Sequence, residues 1–537
     1  MQQLTRSGIV RFVFASLALV FSIALVPDPA RAEVTAFKQA VAEAAALDRD
    51  IAEFYRETGY QPIWTRENVQ HAQRRKALFA ALDGVSSHGL PVARYDTEAL
   101  MQQLRDVRSP RDLGKVEVAL SRAFVSYAHD VQTGILTPSK IDSDIKRKVQ
   151  LRNRKSYLSS FAQSSPTAFM RSLPPKTPEY ANLMKAKLKL ENQIAHGGWG
   201  PTVPGKKLSP GDKGSAVVSL RNRLIAMGYL RRSATSSYDA AMTQAVQKFQ
   251  TANGLDTDGV AGGGTLKEIN VSPEKRLQSV IVAMERERWI NMERGKRHIL
   301  VNLTDFTAKV MDDNKVTFKT RSVVGANRHD RRSPEFSDVM EHMVINPTWN
   351  VPRSIAVKEY LPMMKRNPNA AGHLRLINGR GQAVSRANID FSQYNERNFP
   401  FDIKQPPSRS NALGLVKFMF PNKYNIYLHD TPAKSLFSRE SRAYSHGCIR
   451  LHQPFDFAYT LLAKQTDDPK GVFHKYLKTG RETKVDLVDN IPVHIIYRTA
   501  VTDAKGGLGF RRDVYGRDAR IWDALEHAGV ALGAVQG

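Results

Sequence analysis

Ser445-His446-Gly447-Cys448-Ile449-Arg450 holds the one cysteine of a 537-residue chain. A lone cysteine cannot close an intramolecular disulfide, so it is either inert filler or a reactive thiol. Its neighbours point to reactivity. A histidine and a glycine precede it, and His429 lies nineteen positions upstream, at the end of the apolar run Asn425-Ile426-Tyr427-Leu428. That run reads as a strand, and Pro454 to Ala463, directly downstream, reads as a helix. The motif is therefore read as a loop between a strand and a helix, carrying a candidate nucleophile for acyl transfer.

A thiol with a pKa of about 8.5 is only a few per cent ionised near neutrality, so a working nucleophile needs a base. Two histidines compete for that role. His446 sits two residues before the cysteine, too close along an ordinary backbone for its ring to face the sulfur easily. His429 ends a strand, and rigid elements aim a side chain better than loops do. His429 is assigned as base and His446 as a supporting residue. Gly447 permits close approach of a substrate backbone, and the amides of Gly447 and Cys448 can serve as an oxyanion hole. The competing reading is a buried structural cysteine beside unrelated histidines. No metal is expected: there is no His-Glu-x-x-His helix, and one cysteine cannot make a thiolate-rich site.

Apolar residues make up 42% of the chain and charged residues 24%, ordinary for globular proteins, but the formal net charge is +27. The lysines and arginines are scattered, without zinc-finger spacing, RNA-binding aromatics or a basic zipper, so nucleic acid is not expected as a partner. An anionic membrane surface and an acidic polymer both stay open as partners of that charge. At the N-terminus, Arg6 and Arg11 precede the apolar run Phe12 to Val26, and Ala30-Arg31-Ala32 is a small-x-small cleavage site before Glu33. This is secretory-signal grammar. The apolar run, about fifteen residues, falls short of the roughly twenty needed to span a bilayer. Residues 1–32 are read as a cleaved signal, leaving an exported protein without a membrane span.

The remainder divides by its breakers and its periodicity. Residues 33–200 read as helical, with Ser87-His88-Gly89-Leu90-Pro91 ending one helix and Ser121 to Gln132 forming another. His129-Asp130, inside the latter, is read as a structural pair. The glycines and prolines between 196 and 211 mark a boundary, and residues 206–270 form a module of three short helices. Residues 271–297 connect it, through the helix Pro273 to Asn291, to a region of strands from 298 to 500. Ala308 to Met311 and Val316 to Val324 read as a hairpin around Asp312-Asp313-Asn314, and Val339 to Asn346 and Ile491 to Val501 as further strands. Between about 352 and 408 the β pattern is interrupted by an irregular insertion, read as a lid. Residues 501–537 are left as a C-terminal tail.

Gly211-Asp212-Lys213-Gly214, Val217, Leu220, Gly228-Tyr229-Leu230, Val246-Gln247-Lys248-Phe249-Gln250, Gly254-Leu255 and Asp258-Gly259 together resemble a helical peptidoglycan-binding module. Arg221-Asn222 departs from that family's usual glutamine. Tyr427-Leu428-His429-Asp430-Thr431-Pro432, the fifteen residues from Thr431 to Ser445, and then His446-Gly447-Cys448-Ile449-Arg450-Leu451 resemble the signature of the L,D-transpeptidases of the YkuD type. Asn346-Pro347-Thr348-Trp349-Asn350-Val351-Pro352 and Asn411-Ala412-Leu413-Gly414 resemble flanking segments of that family's large, lid-bearing branch. Trp64, His88-Gly89-Leu90 and Tyr127-Ala128-His129-Asp130 resemble its helical scaffold. Lys404-Gln405-Pro406-Pro407-Ser408 departs from the Arg-Gln-x-Pro-Gly of the branch, which bears on lid contacts.

The resemblance implies a multidomain α+β chain: a helical scaffold, a three-helix peptidoglycan-binding module and a mostly β catalytic domain. It also implies the reaction. Cys448 attacks the carbonyl of the third stem-peptide residue of a tetrapeptide donor, usually diaminopimelate, and expels the terminal D-Ala. The thioester is resolved by the side-chain amine of an acceptor diaminopimelate, with no metal or organic cofactor, in the periplasm. His429 is then base and acid, Gly447 and Cys448 supply oxyanion amides, and Ser445, His446 and Arg450 support the loop, with a donor carboxylate as a second role for Arg450. Trp349, Tyr427 and Asn411, inside the matching segments, are candidate substrate contacts, and carbapenems are expected inhibitors. Two other readings stay open here: a carboxypeptidase or Cys-His peptidase that releases the thioester to water, and a wall-binding scaffold without catalysis.

Overall fold

The computed structural model describes residues 35–503 and 505–532, so the signal read at 1–32 lies outside the described residues. Within that range the chain is a multidomain α+β protein. Its helical part is built around Pro110–Thr133, a helix started by Ser109, whose hydroxyl accepts the Asp112 amide at 3.1 Å, and by a proline at its first turn. The helix is longer than its apolar half, Ser121 to Gln132, implies. Its buried face carries Leu120, Phe124 and Ala128, and Trp64 packs against Phe124 and Phe161 at 5.7 and 5.1 Å between ring centres. Glu117, buried on the same helix, accepts from the Ile63 amide (2.6 Å), the Thr65 hydroxyl (2.7 Å) and Tyr55 (2.8 Å), which fixes the loop around Trp64. His129-Asp130 is structural: Asp130 accepts from Tyr95 at 2.6 Å and Arg94 at 2.9 Å.

The small module consists of the helices Ser215–Ala226, Ala240–Asn253 and Gly263–Ile269 around Leu220, Leu224, Val246 and Phe249. Arg221, the departure from the family pattern, is buried and reaches Asp239 at 2.9 Å, the residue that caps the second helix. The departure therefore has a structural use. After the module comes Pro273–Trp289, expected as a bridge. It is instead a hub, buried along most of its length between the scaffold helix Pro178–Ala195 and the helix Arg517–His527. Its buried charges are paired, Arg288 with Glu285 at 2.7 Å and Arg286 with Glu335 and Asp518 at 2.7 and 2.8 Å. A buried charge needs such partners.

The β region begins with β1 (Arg297–Asn302), β2 (Thr307–Asp312), β3 (Lys315–Gly325) and β4 (Phe336–Ile345). Asp313 and Asn314 take φ of 47° and 63° between β2 and β3, the left-handed pair that a two-residue hairpin needs. β5 (Trp349–Asn350) directly precedes the insertion, which contributes β6 (Arg375–Ile377), β7 (Ala383–Val384) and β8 (Asp402–Gln405). Those four form their own sheet over a core that includes Trp349, Leu361, Phe391 and Phe399. The insertion is thus a folded subdomain. Strands of two to four residues are too short to show a period in sequence.

The main sheet continues with β9 (Val416–Met419), β10 (Leu428–His429), β11 (Ala443–Ser445), β12 (Ile449–Leu451) and β13 (Thr483–Ile496). Its order is β11-β3-β12-β10-β9-β4-β13-β1-β2. Lys315 to Arg321 of β3 pair with β2, while Ser322 and Val323 pair with β12, so the sheet closes on itself. The expected strand from Asn425 is confined to Leu428–His429. Asn425 has φ of 54°, and the Asn422 side chain accepts from the Tyr424 and Ile426 amides at 3.0 and 3.2 Å, holding the chain in a turn.

The segment after 500 is not a tail. β14 (Ala500–Thr502) and β15 (Leu508–Phe510) form a hairpin, and Ile521, Trp522 and Leu525 of Arg517–His527 pack with Ile281 and Met284 in a shared core. Three-residue strands separated by the five residues 503–507 carry no legible pattern.

Candidate active site

β10 and β12 run parallel, with Leu428 opposite Ile449 and His429 opposite Arg450. Leu428 and Ile449 are buried in the sheet core, so alternation turns Tyr427, His429, Cys448 and Arg450 to the other face. Tyr427 and His429 pack with ring centres 5.6 Å apart.

Cys448 is half-buried, and its sulfur contacts the Asn425 carbonyl at 3.4 Å. Burial pushes the thiol up to about 11, against the opposing pull of the Tyr427 amide and hydroxyl and of Arg450. His429 is only 4% exposed. Its Nδ1 donates to the Asp430 carbonyl, and the imidazole also faces the Leu413 carbonyl. Burial, then the Arg450 guanidinium, holds it down to about 3. Thiol and imidazole are both neutral at pH 7. No hydrogen bond joins them among the described residues.

Asp430 sets the carbonyl that orients His429. Its carboxylate accepts from the Thr431 amide (2.7 Å), Lys434 (2.6 Å) and the Leu415 amide (3.0 Å). Gly414 makes room for it: a Cβ there would lie 2.3 Å from the Asp430 carboxylate, and its φ is +61°. Arg450 lies beside both Cys448 and His429, and its Nε has no partner.

The loop before the cysteine is tied internally. Gly447 has φ of +114° and its amide donates to Ser445 Oγ at 3.1 Å; Ser445 Oγ in turn donates to the Cys448 carbonyl at 2.5 Å. The expected oxyanion pair is therefore corrected. The Gly447 amide is taken by Ser445, and the Cys448 amide is the one with no partner among the described residues. His446 points away from the sulfur, to Glu359 of the insertion at 2.6 Å, and Arg331 meets the same carboxylate at 2.6 Å.

Trp349 lies at hydrogen-bond reach of the Tyr427 hydroxyl, which joins the edge of the insertion to the cysteine face. Burial, then Cys448, raises the Tyr427 pKa. Asn411 is no substrate contact. It is fully buried, its amide donates to the carbonyls of Pro347, Gln405 and Pro406 at 2.9 to 3.1 Å, and its oxygen accepts the Leu413 amide at 2.8 Å. Its polar atoms are spent on the turn.

Ser333 and Tyr515 are not marked by any sequence motif. Ser333 Oγ donates to the Gly447 carbonyl at 2.6 Å and accepts the Gly325 amide at 2.9 Å. Tyr515 donates to the Gly325 carbonyl at 2.6 Å, and Arg517 to the Ser333 carbonyl at 3.0 Å. Glu359 is equally silent in the sequence. Among the described residues, no group of three or more His, Cys, Asp or Glu side chains is arranged to hold a metal ion.

Comparison with known proteins bears on the same region. Residues 296–483 match the family described as "L,D-transpeptidase catalytic domain", 213–269 the "Putative peptidoglycan binding domain" and 49–186 the "Scaffold domain". A Haemophilus influenzae protein named "Putative L,D-transpeptidase" is 29% identical over 270 residues, 49% of this chain. The match spans 53% of that relative, about half its length. A solved L,D-transpeptidase from Xylanimonas cellulosilytica is 15% identical, covers 55% of this chain and 100% of its own, and has a TM-score of 0.17. One from Stackebrandtia nassauensis is 16% identical, covers 56% and 98%, and has a TM-score of 0.22.

Proposed function

We propose that this chain, whose residues 296–483 belong to the YkuD family of L,D-transpeptidase catalytic domains, is a periplasmic enzyme that crosslinks peptidoglycan stem peptides through a thioester on Cys448. The observation that carries the reading is the shared face of β10 and β12. It gathers a thiol, an imidazole held by a backbone carbonyl and an unpaired guanidinium around one unpartnered amide.

In the resting site the proton stays on sulfur, because the thiol is raised and the imidazole lowered. Deprotonation is thus coupled to bond formation rather than completed beforehand. Sγ attacks the carbonyl carbon of the third stem residue while His429 takes the thiol proton. The Cys448 amide stabilises the developing oxyanion, aided by Arg450. The C–N bond to the terminal D-Ala breaks, and His429 returns the proton to the departing amine. The acceptor amine of a second diaminopimelate then attacks the thioester, His429 takes its proton, and the thiol is restored as the new amide forms. Arg450 is also suited to a donor carboxylate, since no acidic side chain occupies it. The export grammar of residues 1–32 and the module at 213–269 support action at the wall.

The test is incubation of the purified chain with disaccharide-tetrapeptide fragments, followed by mass spectrometry. Dimers linked between third residues are the expected product. Shortened peptides without dimers make the enzyme a hydrolase, and unchanged substrate makes it a binding scaffold.

A further inference from the structure

A cleft of about 750 Å³ runs between the small module, the scaffold helix Pro178–Ala195, strands β2 and β3, and the β14–β15 hairpin. It shares no residue with the face around Cys448. Seven cations border it: Arg276, which is paired with Glu268, and six without a salt bridge among the described residues, Lys185 and Lys189 one helical turn apart, Lys309 and Lys319, Lys505 and Arg511. Lys309 and Lys319 are directly opposite in the β2–β3 ladder. Like charges opposite one another weaken a sheet, and Asp305 offsets that repulsion only in part, since the Lys319 pKa stays lowered. Among the described residues the lysine ion pairs are at Lys155, Lys187, Lys434 and Lys484, none of them in the cleft.

Of the acidic side chains in the walls, Glu268 is held in ion pairs, while Asp305 and Asp503 are oriented by hydrogen bonds and Asp305 offsets part of the charge of Lys319 and Arg511. Glu268 binds Arg276 and Arg512 at 2.9 and 3.0 Å, Asp305 binds Thr307 at 2.7 Å, and Asp503 accepts the Lys505 and Gly507 amides at 2.8 and 2.7 Å. Arg511 reaches only carbonyls, and its Nε has no partner. Burial and the facing Lys309 depress the Lys319 pKa, and the nearby Asp305 carboxylate opposes them only in part. Trp199, Tyr229 and Phe510 add apolar wall.

We propose that this cleft binds a carboxylate-bearing stretch of glycan-peptide polymer, distinct from the stem peptides reacting at Cys448, and so holds the wall while the catalytic domain works. The ligand class rests on the function proposed above. Charge selects it: free carboxylates answer six unpaired cations, and a polymer spans a cleft open between domains.

The experiment is co-sedimentation of the full chain, carrying Cys448→Ala to prevent turnover, with purified peptidoglycan sacculi over a salt series. Lys309→Gln with Lys319→Gln is expected to weaken binding about tenfold and flatten its salt dependence. Lys185→Gln with Lys189→Gln acts in the same direction. Lys464→Gln with Lys478→Gln, the same change of net charge elsewhere, leaves binding within about twofold. Sacculi whose carboxylates have been amidated bind the unsubstituted cleft as weakly as the lysine variants bind native sacculi. Undiminished binding by both cleft pairs, equal loss in the control pair, or full binding to amidated sacculi overturns the proposal. With Cys448 intact, the Lys309/Lys319 variant keeps crosslinking of short soluble fragments. Crosslinking by the unsubstituted chain with no effect of the cleft pairs sinks the cleft alone; failure of that crosslinking sinks the underlying function.

Discussion

Ser333 Oγ donates to the Gly447 carbonyl at 2.6 Å, across 114 positions of chain, and so fixes the peptide next to Cys448. The same oxygen accepts the Gly325 amide. One hydroxyl thereby locks the left-handed Gly447 to the end of β3.

Ser333→Ala leaves two buried backbone groups without that partner, at a cost of about 1–3 kcal/mol. Crosslinking is expected to fall about tenfold to a hundredfold in kcat with KM little changed, because the loop loses aim rather than binding area. Tyr515→Phe, one step further from the loop, has a smaller effect of the same kind. Steady-state kinetics with thermal melts check both. A fall in Tm without a fall in kcat denies Ser333 a positioning role.

Cys448→Ala is expected to abolish crosslinking, and His429→Gln to reduce it by at least about a thousandfold. Acylation by a carbapenem, read as an intact-mass shift, disappears in the first and slows in the second. Full crosslinking by Cys448→Ala removes the proposed nucleophile.

Alkylation of the single cysteine by iodoacetamide reports its ionisation directly. With the thiol raised to about 11, the rate is expected to climb nearly tenfold per pH unit from 7 to 9 without levelling. Levelling below pH 8 reveals a preformed thiolate and contradicts the neutral resting pair.

Stability is expected to decline on acidification. The folded-state pKa is lowered to about 3 for His429 and to about 4 for His88 and His494. An unfolded histidine titrates near 6.5, so between about 6.5 and 4 the unfolded chain binds more protons and folding weakens as pH falls. Above 6.5 these groups contribute no slope. Urea unfolding at pH 7 and 5 measures the change, and His429→Gln makes it shallower.

Gly414→Ala places a methyl 2.3 Å from the Asp430 carboxylate at a φ of +61°. Loss of about 1–3 kcal/mol and a marked fall in kcat are expected, since Asp430 carries the carbonyl that orients His429. Gly197→Ala, with φ of +91° and open space around it, incurs backbone strain alone and leaves kcat unchanged.

Much of this molecule is local in the chain and therefore readable from it. The lone Cys448, His429 at the end of a short apolar run, the hairpin at Asp313-Asn314 and the three amphipathic helices of the module each depend on residues within a few turns or strands. The alternation Tyr427-Leu428-His429 already sorts the site face from the core face. Asn411 shows where such reading stops. It sits in a segment that resembles the family, yet its amide is consumed by three carbonyls that only the folded turn brings together.

The partners of the reactive groups are decided by packing between distant elements. Ser333, Tyr515 and Glu359 carry no motif, because their value lies in which backbone or side chain the closed sheet places opposite them. The oxyanion assignment changed for the same reason, since a serine two residues away took the Gly447 amide. The last thirty-odd residues, plain as a string, supply Tyr515 and Arg517. Residue type and spacing set what chemistry Cys448 can do; register and burial set which atoms are free to do it, because a hydrogen-bonding group already paired in the fold is no longer available to a substrate.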